Sequence, residues 1–239
     1  MKKYTEENPL KVFTTFSGYD SQCLALKKAG IPFDLVGWSE IEKRAIMAHN
    51  ALFPEYKDRN YGDICKIDWE NVPDFDLFTY SSPCTSFSIA GQMLGGEEGS
   101  GTKSSLLWEC KRAIEIKRPK YLMLENVKML VSNNFINTFK KWISFLDSLE
   151  YISNWKVLNG RDYGIPQDRS RVFLVSILNP EQDFDFPRGK PLKTTVEDFM
   201  LTKAELGKEL YDKLCVKKEI VDNYVKYNEH FLKFAVKQK

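Results

Sequence analysis

One cysteine stands where a nucleophile would be useful. Cys84 follows the apolar run of residues 75–80, which predicts a buried strand, and it opens a loop rich in serine and glycine. A thiolate at the end of a strand is a strong nucleophile when backbone amides or cations lower the pKa of the thiol. A free cysteine is also commonly an inert buried side chain, so position alone leaves both interpretations open.

A carboxylate follows another apolar run. Glu125 comes directly after residues 120–124, which predict a buried strand. A carboxyl group is costly to bury in its ionised form, so burial favours the protonated form and makes the group a proton donor near neutral pH. The alternative is a carboxylate in the first turn of a helix, where the helix dipole stabilises it.

A glutamine and two arginines alternate in a later segment. Gln167, Arg169 and Arg171 are spaced two residues apart, so their side chains project to one side of an extended chain. Two guanidinium groups on one side can hold a carboxylate, a phosphate or a carbonyl oxygen. A solvated strand face gives the same pattern, so this motif gains meaning only beside the others.

Further polar residues follow the first strands. Phe16, Ser17 and Gly18 end the first strand, Glu40 ends the second, and Asp63 follows a short third segment. In a doubly wound sheet an acidic residue after the second strand receives the ribose hydroxyls of a bound nucleotide. The segment reads FSGYDSQ, without the glycines of a phosphate loop. This favours S-adenosylmethionine, which has an adenosine but no phosphate, over NAD.

The elements that must position these residues alternate between strand and helix. Apolar runs predict strands at residues 11–16, 33–39, 75–80, 120–124, 152–158 and 171–177. Helical patterns predict helices at residues 21–29, after the second strand through about residue 52, and at 104–116 and 135–149. The alternation predicts an α/β fold, a doubly wound and mostly parallel sheet with helices on both faces. Ligands bind beyond the C-terminal strand ends of such a sheet, and every polar group above is expected at such an end.

Composition excludes several classes of protein. With 43% hydrophobic and 28% charged residues, the chain is not wholly disordered, and no apolar run approaches the length that spans a bilayer. The first residues lack the apolar core of a secretory signal. Five cysteines without a CxxC pair argue against a disulfide framework or zinc ribbon and favour a reducing, cytoplasmic location. Two histidines argue against a His-rich metal site or a Ser-His-Asp hydrolase, and we predict no metal.

The composition changes near residue 188. Residues 189–239 hold eleven lysines and eight acidic residues, whereas eleven of the thirteen glycines lie earlier. We therefore expect a domain at residues 1–188 and a helical region at 189–239. Leu206, Leu210 and Leu214 recur every four residues, which predicts one helix with an apolar face. That face either packs on its own domain or, alternatively, docks a second chain that supplies target recognition.

In this order the motifs resemble those of the cytosine-C5 DNA methyltransferase family. FSG, SE, GDI, PC-TSFS, ENV and QDRSR follow one another as in that family, over residues 11–189. Asp20 replaces the second glycine of the usual F-x-G-x-G, and Thr85 replaces the glutamine of the usual PCQ. The family's long target-recognition region and its later G-N motif have no counterpart, so residues 189–239 are expected to be the helical start of a truncated recognition region.

The resemblance implies a fold of the S-adenosylmethionine-dependent, Rossmann-like type and a covalent mechanism. Cys84 would attack C6 of cytosine, Glu125 would protonate or hydrogen-bond N3, Arg171 would hold O2, and Arg169 would orient the Glu125 carboxylate. C5 would then take the methyl group of S-adenosylmethionine. Because a stacked base is out of reach, the cytosine would flip out of double-stranded DNA, and the loop at residues 86–101 would close over it.

The resemblance also implies a set of cofactor residues in the loops after the first strands and at the start of the helix after Cys84. Phe16 and Ile41 would contact adenine, Glu40 the ribose hydroxyls, Asp63 the adenine amino group, and Ile64 and Leu106 the remaining surface, with Gly18 and Pro83 beside them.

Three other functions are open at this point. An RNA cytosine-C5 methyltransferase would use the same chemistry. A cofactor-binding half that needs a second chain for recognition and activity would keep the same motifs. A nicotinamide oxidoreductase would share the sheet, but it gives no reason for PC, ENV and QDRSR to occur together.

Overall fold

Six strands form one mixed sheet in the computed structural model, which describes residues 4–83, 103–182 and 184–214. They are β1 (Leu10–Thr15), β2 (Phe33–Ser39), β3 (Leu77–Tyr80), β4 (Tyr121–Val127), β5 (Tyr151–Asn159) and β6 (Ser170–Leu178). Their order across the sheet is β2-β1-β3-β4-β6-β5. β6 lies between β4 and β5 and is antiparallel to both, whereas the other neighbouring pairs are parallel.

Helices cover both faces of this sheet. The helices of the first part of the chain are α1 (Ser21–Lys28), α2 (Lys43–Leu52), α3 (Glu109–Lys117) and α4 (Ile136–Ser148). Val12 and Leu77 pack with α1 and α2 in one hydrophobic cluster, whereas their neighbours Phe13 and Phe78 pack with α3 and α4 in the other. Successive strand residues point to opposite faces, so the two clusters lie on opposite sides of the sheet. The predicted doubly wound, mostly parallel α/β sheet is confirmed.

Short 3-10 helices make up much of the remaining connections. They span Pro54–Arg59, Ile64–Lys66, Trp69–Asn71, Lys103–Trp108, Lys128–Val131 and Gly160–Tyr163. The helix predicted at residues 104–116 is therefore wrong in its first turn, which is a 3-10 segment, and α3 begins only at Glu109. Arg118 ends α3 in a left-handed conformation with a φ of 48°, and Pro119 follows directly.

The spacing of apolar residues explains how α4 docks. Phe139, Trp142 and Leu146 are three and four residues apart, lie on one side of the helix and are fully buried. The Trp142 indole donates a hydrogen bond of 3.2 Å to the Tyr80 hydroxyl at the end of β3. This bond satisfies two polar groups that burial would otherwise leave unpaired, and it fixes the end of β3 on the side of the sheet that α4 covers.

The pairing of β1 with β2 contains an irregularity. Val12 pairs with Leu35 and Phe13 with Gly37, so Val36 is an extra residue on β2. Gly37 is buried against the rings of Phe13 and Tyr61. A Cβ atom there would lie 2.7 Å from the Tyr61 ring, so only glycine fits at this position. The bulge adjusts the path of β2 just before its C-terminal end.

Residues Lys193–Lys239 form a separate compact unit, distinct from Met1–Leu192. Its described part contains a 3-10 helix at Glu197–Phe199 and two short helices, α5 (Lys203–Leu206) and α6 (Lys208–Leu214). The prediction of one apolar helix face is wrong, because Gly207, with a φ of 70°, separates Leu206 from Leu210. Residues 215–239 lie outside the described part. None of the described helices is long and apolar enough to cross a membrane.

Candidate active site

The pairing of β4 with β6 brings a carboxylate and a guanidinium group together. Glu125 lies opposite Phe173 and Val127 lies opposite Arg171, so Glu125 and Arg171 are diagonal neighbours on one face. The Arg171 Nε atom is 3.1 Å from Glu125 Oε1. Glu125 was expected to follow the strand, but it lies inside β4, because β6 extends the pairing as far as Val127. This correction leaves the carboxyl group near the C-terminal end of the strand.

The direction of β6 decides where the arginines stand. The prediction that every polar group falls at the C-terminal end of a strand is wrong for Gln167, Arg169 and Arg171, which stand at the N-terminal end of β6. Because β6 is antiparallel, that end lies at the same edge of the sheet as the C-terminal ends of the other five strands. All three side chains line a cavity of about 360 Å³ together with Glu125 and Tyr163.

Glu125 is poised to hold a proton. Burial raises its pKa above the usual value, and this effect outweighs the lowering by Arg171, by Arg169 and by a hydrogen bond with Ser81. The group therefore keeps its proton to a higher pH than an exposed glutamate does. The positive charges of Arg171 and Arg169 stabilise its ionised form. A carboxyl group in these surroundings can donate a proton or a hydrogen bond to a basic ring nitrogen.

The chain that leads to Cys84 is fastened beside Glu125. Asn126 is buried, and its Nδ2 atom donates to the backbone carbonyl of Ser82 at 3.2 Å. Pro83, which follows, is half-buried. Cys84 itself and the loop at residues 86–101 lie outside the described residues. Neither Asn126 nor Ser82 was singled out from the sequence, although Asn126 belongs to the ENV motif.

The loop after β1 has an unusual backbone. Phe16, Gly18 and Asp20 have φ values of 52°, 57° and 63°. These values lie in the left-handed region of backbone conformation, which residues other than glycine rarely adopt. At Phe16 and Asp20, which are not glycine, this conformation costs about 1–3 kcal/mol each and persists only where surrounding contacts enforce it. The Glu40 carboxylate supplies one of them, because its Oε2 atom accepts from the Gly18 N–H at 2.9 Å.

Glu40 links the loops after β1 and β2. Its Oε1 atom accepts from the backbone N–H groups of Ile41 and Glu42, at 2.8 and 2.9 Å. The Asn60 side chain in turn accepts from the Glu40 N–H and donates to the Glu40 carbonyl, at 3.2 and 3.1 Å. Asn60 had no motif to mark it in the sequence, since a lone asparagine between Arg59 and Tyr61 is typical of any loop.

The other residues expected to contact a cofactor differ in exposure. Ile41 is 70% exposed, whereas Ile64 is only 3% exposed and packs in the hydrophobic core. Asp63 caps the 3-10 helix at Ile64–Lys66 by accepting from the Cys65 N–H. Leu106 is half-buried in the 3-10 helix before α3.

A buried polar cluster lies beneath the loop after β1. Asp20 is fully buried, accepts from the Thr14 hydroxyl at 2.9 Å and from the Cys23 N–H at 3.3 Å, and lies 3.5 Å from His49 Nε2. The His49 ring stacks on Trp38 with a centroid distance of 3.7 Å. Asp20 is the residue that departs from the usual second glycine, and the cluster gives this departure a structural reason.

Two further observations concern metal binding and a second cavity. Within residues 4–83, 103–182 and 184–214, no three His, Cys, Asp or Glu side chains are grouped so that they could hold a metal ion. A larger cavity of about 580 Å³ lies at the opposite edge of the sheet, next to Asp76, Tyr121 and Ile177. Because Tyr121 begins β4 and Asp76 precedes β3, this cavity is remote from Glu125.

Comparisons with known proteins identify a family that the chain resembles over most of its length. The family model for C-5 cytosine-specific DNA methylase matches residues 10–236. The chain is 41% identical to Type II methyltransferase M2.ScrFI of Lactococcus lactis subsp. cremoris, over 80% of this chain and 67% of that protein. It is 32% identical to Type II methyltransferase M.HhaI of Haemophilus parahaemolyticus, over 85% of this chain and 61% of that protein.

A solved structure shares the fold. The Entamoeba histolytica methyltransferase EhMeth aligns with a TM-score of 0.65 at 18% identity, over 81% of this chain and 60% of that one. The chain thus spans about two thirds or less of the length of M2.ScrFI, M.HhaI and EhMeth, at 67%, 61% and 60%. The match of the family model over most of the sequence, together with the identity to M2.ScrFI, shows that the chain belongs to the C-5 cytosine-specific DNA methylase family.

Proposed function

We propose that this chain transfers a methyl group from S-adenosylmethionine to C5 of a cytosine flipped out of double-stranded DNA. The observation that carries the proposal is the Glu125 carboxyl group, whose pKa is raised by burial and which contacts both Arg171 and Ser81. Ser81 precedes the candidate nucleophile Cys84 by three residues in the sequence, so the segment that contacts Glu125 leads directly to Cys84.

The chemistry follows from what cytosine lacks. Its C5 atom is a poor nucleophile, so the ring must first gain electrons. The Cys84 thiolate forms a bond to C6 while Glu125 donates a proton or a hydrogen bond at N3, and negative charge builds up at C5. Arg171 holds the O2 atom of the base, and Arg169 keeps the Glu125 carboxylate oriented. C5 would take the methyl group as its bond to the sulfonium sulfur breaks, and the C5 proton would then pass to a base. The C6–sulfur bond would break to return the thiolate, and N3 would give its proton back to Glu125.

The residues after β1 and β2 fit an adenosine without phosphates. S-adenosylmethionine, when bound, supplies an electrophilic methyl group. A carboxylate has about four lone-pair positions, and Glu40 uses three of them on the backbone N–H groups of Gly18, Ile41 and Glu42. The Glu40 Oε2 atom therefore has room to accept from one ribose hydroxyl. We assign the adenine contacts to Phe16, Ile41 and Asp63, the remaining surface to Pro83 and Leu106, and only a marginal contact to Ile64, which is 3% exposed.

Cys84→Ser tests the nucleophile. We expect it to abolish methyl transfer, because an alcohol forms almost no anion at neutral pH to attack C6. Transfer of tritium from labelled S-adenosylmethionine to a mixed-sequence duplex is the assay, and a 5-fluorocytosine duplex should trap a covalent adduct only when Cys84 is present.

The control for this test is Cys215→Ser, which makes the same change elsewhere in the chain. Activity of Cys84→Ser within about tenfold of wild type, roughly 1.4 kcal/mol of barrier, would remove Cys84 from the mechanism. Preferential labelling of RNA would indicate the alternative substrate.

Calorimetry tests the cofactor. We expect S-adenosylmethionine or its demethylated product to bind more tightly than NAD. Glu40→Gln should weaken that binding by about ten- to a hundredfold, because hydrogen bonds to a charged acceptor contribute about 1.5–3 kcal/mol. The control is Glu55→Gln, in the 3-10 helix after α2. Tighter binding of NAD than of the methyl donor would contradict the assignment.

A further inference from the structure

We propose that Asn159 is a positioning residue for the reaction, because its side chain ties both arms of the loop at residues 160–169 and so holds Arg169 beside Glu125. The proposal rests on the methyl-transfer function proposed above. Asn159 ends β5 and pairs with Ser170, the first residue of β6. The intervening loop therefore carries Gln167 and Arg169 directly into the cavity that Glu125 lines.

A single amide makes the tie. The Asn159 Oδ1 atom accepts from the Arg161 N–H on the outgoing arm at 3.3 Å and from the Arg169 N–H on the returning arm at 3.1 Å. Its Nδ2 atom donates a short hydrogen bond to Asp168 Oδ1. The backbone adds one bond at the same level, from the Gly160 N–H to the Arg169 carbonyl at 3.2 Å.

The pattern requires an amide of this length. The side chain at position 159 must be short, must accept from two backbone N–H groups and must donate to a carboxylate. Aspartate would supply the acceptor but would face the Asp168 carboxylate without a proton between them. Alanine would supply neither, and the N–H groups of Arg161 and Arg169 would lose their common partner.

The two arginines depend on this tie to different degrees. Arg171 is the second residue of β6 and is held by pairing with Val127 and Leu158 on both sides. Arg169 precedes the strand, and its side chain is exposed, so its place is set by the loop. Loss of the tie should therefore remove the charge of Arg169 from Glu125 while leaving the contact between Arg171 and Glu125.

An exchange of the two partners tests the proposal. Asn159→Asp should lower the kcat for methyl transfer on the order of ten- to a hundredfold, as small displacements of positioned groups do. Asp168→Asn alone should stay within about threefold of wild type, because an amide oxygen still accepts from Asn159. The double variant Asn159→Asp with Asp168→Asn should recover most of the lost rate, since the amide at 168 now donates to the carboxylate at 159.

A purely structural role would predict other readouts. We expect Asn159→Ala to lower kcat, to leave the Kd for S-adenosylmethionine unchanged, and to extend activity to higher pH, because Glu125 without Arg169 keeps its proton longer. A variant that merely loosens the fold would lower the thermal midpoint without moving the pH profile. Failure of the exchange to restore the rate, or an unchanged kcat and pH profile in Asn159→Ala, would overturn the proposal.

The proposal also has a readout that needs no turnover. If the wild-type chain transfers no methyl group by itself, the proposed function fails for the chain alone, and the position of Arg169 is then judged by NMR titration of 13C-labelled glutamate. The Glu125 carboxyl resonance, assigned by its absence in Glu125→Gln, should titrate at higher pH in Asn159→Ala than in wild type. The same titration midpoint in both proteins would overturn the positioning role.

Discussion

At the scale of single residues, Glu125 shows how one environment sets both stability and reactivity. Burial disfavours its charged form, and Arg171, Arg169 and Ser81 offset only part of that cost, so its pKa stays above the usual value of 4.5. The folded protein therefore binds this proton more tightly than the unfolded chain does. The resulting contribution to stability is fully present below about pH 4.5 and is lost as the pH rises through the folded pKa.

Glu125→Gln tests this balance, because the amide cannot ionise. We expect the free energy of unfolding of wild type, relative to Glu125→Gln, to decrease between pH 4 and pH 7. The decrease should amount to about 1.4 kcal/mol for each unit by which the pKa is raised. Urea unfolding followed at several pH values measures it, with Glu115→Gln on the exposed side of α3 as the control. A constant difference across this range would contradict the raised pKa.

At the scale of elements, Asp20 joins the first strand to two helices. It caps α1 by accepting from the Cys23 N–H, bonds to Thr14 of β1, and lies next to His49 of α2. It does so in a left-handed conformation that glycine would adopt more easily. The gain in contacts, all of them buried, offsets the backbone cost of a residue other than glycine.

Asp20→Gly restores the residue usual in the family and should nevertheless destabilise this chain. We expect a loss of about 1–3 kcal/mol, because the buried Thr14 hydroxyl and the first turn of α1 lose an acceptor and a cavity is left behind. Asp20→Asn keeps an acceptor of the same shape and tolerates a positive φ, so it should cost less than half as much. Urea unfolding at pH 7 compares the two, and equal stability of Asp20→Gly and wild type would show that the contacts contribute nothing net.

At the scale of the whole molecule, charge limits how the chain meets DNA. Its 35 basic and 33 acidic residues leave a net charge of +2, which gives little general attraction to phosphates. The residues that we assign to a base, among them Glu125 and Arg171, address one flipped cytosine. Recognition of neighbouring bases would need further contacts to base edges.

We therefore expect these 239 residues alone to bind duplex DNA weakly and without sequence preference, with a Kd of order 10⁻⁴–10⁻⁶ M that rises steeply with salt. Fluorescence anisotropy against a pool of random duplexes at 50 and about 200 mM salt measures this. A scrambled single-stranded oligonucleotide controls for simple charge attraction. Nanomolar, salt-resistant binding to selected duplexes would show that the chain reads sequence by itself.

Local sequence determined the kind of fold and the family. Strand and helix periods have short range, so β2 was predicted within its observed bounds, Phe33–Ser39, and the alternation of elements predicted the doubly wound sheet. FSG, ENV and QDRSR predicted the family because each motif is a short run of residues that can be recognised without knowing the tertiary structure. The cofactor and catalytic roles of these residues stay predictions, with Cys84 outside the described part.

Only the tertiary structure decided how those residues meet. Nothing in the local pattern of β6 states that it inserts antiparallel between β4 and β5, because strand order depends on pairing between distant segments. That insertion places Glu125 inside a strand and Arg171 diagonally opposite it. Asn159 shows the same limit, since an asparagine at a strand end is ordinary in sequence, and its partners Arg161 and Arg169 are defined only once the loop closes.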